Sequence, residues 1–154
     1  FGLGTGLLHF AFLQILIGAL VAGIDAGRTY TDWPLMAGGI LPPDFWIAEL
    51  GLRNFFENPG LVQFIHRVTG YLLLAFGIVV WLKGRSSTHA ATRAAFNAAF
   101  IALMAQVLLG IVTVLYVAAW QVAIVHQVLA VVLWVLILRA RFLAQYPRAQ
   151  SVRG

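Results

Sequence analysis

Four long apolar runs, roughly residues 4–25, 61–82, 94–116 and 120–139, constrain this 154-residue chain more than any other feature. Each can cross a hydrocarbon core, which takes about 20 residues of helix. No water reaches the backbone there, so such a span satisfies its own N–H and C=O groups as a helix. The composition agrees, with 62% hydrophobic and 10% charged residues against roughly 25% charged in a soluble domain. The chain therefore reads as an all-α integral membrane protein, a single four-helix bundle with the lipid bilayer as its first partner. The net charge of +5 does not point to nucleic acid, because the basic residues sit at helix ends and not among exposed aromatics. Without cysteine there is no disulfide, thiolate metal site or cysteine nucleophile. Opening on Phe1 and running straight into a span, with no basic n-region or cleavage site, the chain reads as a piece of a longer protein.

Charge orients the spans. Lys83, Arg85 and Arg93 lie in the 83–93 connection, and Arg139, Arg141, Arg148 and Arg153 close the chain at 139–153. By the positive-inside rule the 83–93 loop and the 140–154 tail are cytoplasmic. The 26–60 connection holds four of the five acidic residues and belongs outside. Pro42 and Pro43 are placed to open a short helix there, and Trp33, Phe45, Trp46, Phe55 and Phe56 mark it as lying along the interface. Two readings are open for this loop: an aromatic belt with no ligand role, or a lid over a buried site.

An internal repeat is the most informative feature. QILIGALVAG in the first span is echoed by QVLLGIVTVL in the third, aligning Gln14 with Gln106 and Gly18 with Gly110. The second and fourth spans then correspond: His66 is followed four residues later by Gly70, and His126 by Ala130. One helical hairpin is thus used twice, and two-span units repeat about an axis along the membrane normal. Equivalent residues sit at equal depth. At 1.5 Å per residue both histidines lie within roughly 10 Å of the outer interface.

In a four-helix bundle the second and fourth helices are diagonal, and a heme standing between them takes one imidazole of His66 and His126 on each face of its iron. The small residues Gly70 and Ala130 clear space one turn further on, as Gly18 and Gly110 do from the neighbouring helices, although glycine at helix contacts in lipid is also ordinary packing. A lone intramembrane histidine has a bland account, a hydrogen bond to another helix; two at matched depth on repeated helices are harder to explain that way. Zinc or copper would want further ligands. Arg67 sits where it either pairs with a heme propionate or snorkels to the headgroups, and Arg28 is a weaker propionate candidate. For Gln14, Gln63, Gln106, Thr113 and Gln127 interhelical hydrogen bonding is expected, as it is for His9. His89 reads as a solvated loop residue.

The segments GALVAGIDAGRTYTDWPLMAGGILPPDF, FFENPGLVQFIHRVTGYLL, QVLLGIVTVLY and IVHQVLAVVL resemble the second half of heme A synthase, and the resemblance covers nearly the whole chain. It implies an oxidoreductase of eight helices in two similar halves, which oxidises the methyl group of heme O to the formyl group of heme A for respiratory oxidases. It further implies that the carboxy-terminal half keeps a heme b ligated by histidines matching His66 and His126. Heme O synthase and oxidase assembly factors are the partners it suggests, in the inner membrane of a bacterium. The substrate half of that family carries a glutamate shortly before its first histidine and often a cysteine pair in its first outer loop. This chain has Gln63 and no cysteine, so it resembles the cofactor half, and the catalytic residues are expected outside it. A compact four-helix form assembling as a homo-oligomer, with substrate chemistry on this chain, is the other arrangement the family allows. Two further classes stand against the enzyme reading. An electron-transferring b-type membrane cytochrome usually shows a second histidine pair near the inner surface, where His9 has no mate. In a heme-free structural bundle both histidines are packing contacts.

Overall fold

The computed structural model describes residues 2–147 and is all-helical apart from the loops, with one isolated bridge between Met36 and Gly39. The order is α1 (Leu3–Gly23), two 3-10 turns (Ala26–Arg28 and Ala48–Arg53), the single turn α2 (Asn54–Glu57), then α3 (Pro59–Gly84), α4 (Ala90–Leu115) and α5 (Trp120–Gln145). Four of these helices, α1, α3, α4 and α5, are long and apolar enough to cross a membrane.

Local chemistry sets the ends. Asn58 caps α3 by accepting from the Leu61 amide at 3.1 Å, and Pro59 takes the first helical position, where a missing N–H costs nothing. α5 runs past Arg139, where the apolar run stops, to Gln145. Hydropathy ends at Arg139 but the hydrogen-bond ladder does not, and the next residue that disfavours helix is Pro147. Arg148 and Arg153, expected in the basic tail, lie outside the described residues. No helix opens at Pro42–Pro43; the Phe45 amide closes a turn onto Pro42 O at 3.0 Å, and the loop's next helical turn starts at Ala48.

α1 and α4 each pack against both α3 and α5, so α3 and α5 face each other across the bundle; the largest interface is α4 with α5. Ala95, Ala99 and Ala102 of α4 are buried small residues that let backbones approach closely, the usual substitute in lipid for a hydrophobic driving force. The contiguous core draws on Leu7, Leu8 and Ala11 of α1, Leu73 and Val80 of α3, Ala95 to Leu103 of α4 and Leu133 to Leu143 of α5. All of these lie in the half of the bundle away from the long loop. Thr92 Oγ1 to Leu143 O at 3.0 Å, Trp134 Nε1 to Leu8 O at 3.2 Å and Arg141 Nε to Thr5 Oγ1 at 2.8 Å tie the same half together. The half under the long loop is built differently, around histidine, glutamine and arginine.

Candidate functional site

In each hairpin the first helix grips the histidine of the second. Gln14 of α1 donates from Nε2 to the His66 carbonyl at 2.9 Å, and Gln106 of α4 donates to the His126 carbonyl at 3.1 Å. One turn further on, a Cβ added to Gly18 would stand 3.1 Å from His66 Cε1, and one added to Gly110 would stand 3.0 Å from His126 Cε1. The two glycines therefore seat the imidazole rings themselves; they are not spacers for a larger group. Gly70 likewise makes room for the Gln14 amide, 3.3 Å from where its Cβ would be. The aligned sequence positions are thus aligned contacts, and the two histidines stand on α3 and α5, which lie diagonally across the bundle.

The copies differ in one respect. Thr69 donates to Gln14 Oε1 at 2.6 Å, and the Gln14 amide nitrogen stands 3.1 Å from His66 Nδ1. The residue equivalent to Thr69 is Leu129, which has no hydroxyl to steer Gln106. Gln106 Oε1 and His126 Nδ1 are both enclosed without a hydrogen-bond partner among the described residues.

Above the histidines the long loop is fastened to α3 from below. Buried Arg67 donates from Nη1 to Asp32 O and Leu35 O, both at 3.0 Å, and from Nη2 to Tyr30 O at 2.9 Å. Gln63 adds a bond to Tyr30 O at 2.9 Å. Arg67 does not snorkel, and Gln63 reaches loop carbonyls and no other helix, because the loop folds back over this end of α3. Arg67 Nε remains enclosed without a partner among the described residues.

The loop has its own polar frame. Asn54 and Asn58, both wholly buried, bridge Ile47, Gly51 and Asp44 through their amides. Tyr30 donates to Asp44 Oδ1 at 2.5 Å, and burial followed by the Asp44 bond pushes its hydroxyl up to about 12. Asp32 takes the amides of Gly38 and Ala37 at 3.0 Å, which hold its carboxyl below the usual range. Sequence reasoning missed these five residues as a set; the Asn-Pro step at 58–59 was the available signal. Trp33, Trp46, Phe55 and Phe56 remain exposed, as an interfacial belt requires.

Other candidates separate from this site. Arg28 is exposed and pairs with Asp25 at 3.8 Å. His9 and Gln127 are exposed on the bundle surface and make no interhelical hydrogen bond among the described residues, and Thr113 bonds its own helix at Leu109 O. His89 caps α4 half-buried, its Nδ1 enclosed, and is not solvated as a free loop residue would be. Among the described residues no three His, Cys, Asp or Glu side chains cluster. The donors available are one imidazole on each of two facing helices, a pair that suits an iron whose other four ligands come from a macrocycle.

Fold and site define a multi-pass membrane protein built from a duplicated hairpin, with a clamped histidine on each of two facing helices. The chain belongs to the cytochrome oxidase assembly protein family COX15-CtaA, whose family model matches residues 1–138. It is 71% identical to the heme A synthase of Ruegeria pomeroyi and 58% identical to that of Paracoccus denitrificans, over all 154 residues in each case. The chain spans about 40% of the length of these relatives. No solved structure matches it.

Proposed function

We propose that this chain is the heme b-binding half of a heme A synthase, with His66 and His126 as the two axial ligands. The observation that carries the reading is the repeated clamp: the carbonyl of each histidine is held by a glutamine of the neighbour helix, and each ring is seated on a glycine of that helix. A bound heme b supplies a one-electron redox couple there. The protein's part is to present two neutral imidazoles at fixed depth, to cover them with the loop that Arg67 and Gln63 hold, and to keep bulk water from the iron. Arg67 Nε is the nitrogen left to pair with a propionate.

The activity belongs to the whole protein, which on this reading oxidises the methyl group of heme O to the formyl group of heme A, an oxidoreductase reaction serving the respiratory oxidases. Oxidation of the substrate then falls to residues outside this chain, and heme O synthase and oxidase assembly factors are its natural partners. The setting is the inner membrane of a bacterium, with the long loop outside and the basic segments in the cytoplasm.

Reduced-minus-oxidised and pyridine hemochrome spectra of the detergent-purified protein test this. A low-spin heme b signal that turns high-spin or disappears in both His66→Ala and His126→Ala is expected. A folded protein without heme, or one whose spectrum ignores either substitution, overturns the ligand assignment.

A further inference from the structure

The other end of the bundle carries a second, unassigned site. Where α3 and α4 part, an open cleft of about 440 Å³ is lined by Trp81, Arg85, Arg93, Asn97, Phe100 and Ile101. Trp81 and Phe100 stack at 4.3 Å with an interplanar angle of 12°, making one rigid wall. Trp81 Nε1 donates to Asn97 Oδ1 at 2.8 Å, which turns the Asn97 amide into a fixed neutral donor. The Arg85 guanidinium lies 4.7 Å from the centre of the Trp81 ring. Arg93 is braced through Nη1 by the carbonyls of Ser87 and Thr88, at 2.9 and 3.0 Å.

These two cations have no counter-charge in their neighbourhood. All five acidic residues fall between Asp25 and Glu57, at the opposite end, and no Asp or Glu occurs on α3, α4 or α5. Two guanidiniums facing one cleft at a membrane surface repel each other and call for an anion, and guanidinium geometry suits phosphate oxygens in particular. Depth decides which kind of phosphate. Passing from the helix ends toward the membrane centre, Arg85 and Arg93 come first, then Trp81 and Asn97, then exposed apolar residues: Ile101 at 68% and Ile78 and Val79 between them on α4 and α3. Charge, then an aromatic ring at the interface, then hydrocarbon is the order of a phospholipid.

We propose that this cleft binds the headgroup of an anionic phospholipid. Arg85 and Arg93 take the phosphate, Asn97 adds a neutral donor, the Trp81–Phe100 wall flanks the glycerol region, and an acyl chain follows Ile101.

Native mass spectrometry of the purified protein, titrated with phosphatidylglycerol or phosphatidylcholine, tests the proposal. Phosphatidylglycerol is expected to be retained preferentially, and Arg85→Gln with Arg93→Gln to weaken that retention on the order of thirtyfold. Lys83→Gln, outside the cleft, is expected to change it little. Brominated phosphatidylglycerol in vesicles is expected to quench a protein whose remaining tryptophans are replaced by phenylalanine, leaving Trp81. Equal retention of both lipids, or equal loss with Lys83→Gln, overturns the site in favour of diffuse charge attraction. Displacement of the lipid by millimolar inorganic phosphate overturns the lipid assignment in favour of a free-anion site. Circular dichroism of the double variant, expected to match the parent, separates lost binding from lost fold.

Discussion

Gln14 holds His66 at two points, the carbonyl at 2.9 Å and the ring nitrogen Nδ1 at 3.1 Å, whereas its repeat partner Gln106 reaches only the carbonyl of His126. The cause is one side chain: Thr69 steers the first glutamine and Leu129 cannot steer the second. With Oε1 taken by the Thr69 hydroxyl and Nε2 bonded to the His66 carbonyl, the Gln14 amide turns its nitrogen, a donor, toward Nδ1.

The two glutamines are therefore unequal. Outer partners of a metal-binding histidine typically contribute ten- to a hundredfold in affinity. Gln14→Leu is expected to weaken heme binding within that range, and Gln106→Leu by clearly less. Heme titration followed at the Soret band measures both; equal losses contradict the asymmetry.

Space behind the rings is the second control. Gly110→Ala and Gly18→Ala place a methyl group 3.0 and 3.1 Å from a histidine carbon, tighter than an ordinary contact, so the ring must give by a few tenths of an ångström. Alanine is expected to leave heme bound with a partial high-spin signal. Leucine at either position is expected to abolish low-spin ligation, because several carbons cannot be absorbed this way. Electron paramagnetic resonance of the four variants reads the spin state.

Removing the Arg67 guanidinium strips donors from three loop carbonyls at once. At about 1.5–3 kcal/mol for each hydrogen bond to a charged group, Arg67→Leu is expected to release the loop while the spanning helices persist. Arg67→Lys recovers part of the hold, since an ammonium donates three hydrogen bonds but lacks the planar fork. Limited proteolysis between residues 30 and 50 is the measure, and an unchanged cleavage rate in Arg67→Leu would refute the anchoring role.

Alkaline pH acts on the same loop through Tyr30. Its hydroxyl is neutral in both folded and unfolded chain below its ordinary pKa of about 10, and the folded loop keeps the proton to about 12. The contribution is complete below the first value and is lost as pH rises through the second. Ionisation would leave a phenolate against Asp44 at hydrogen-bonding distance. Tryptophan fluorescence from the loop is expected to change between those values, and Tyr30→Phe to remove that transition.

Much of this protein is written in its order of residues. Four apolar runs set the helices because lipid leaves the backbone no other partner, and the Gln–Gly and histidine repeat marked the pairs that turn out to touch. The end of α5 escaped notice because hydropathy stops at Arg139 while helix geometry continues to Gln145. What only the tertiary structure decided is what each polar group faces. Spacing placed Gly18 on the right helix face, but only packing shows that it seats His66. Arg67 was legible as an interfacial cation, yet its partners lie more than 30 residues away in a loop without periodicity. Hydrophobic pattern and local propensity act over a few turns and survive in one dimension; a hydrogen bond across distant segments exists only after the chain has closed on itself.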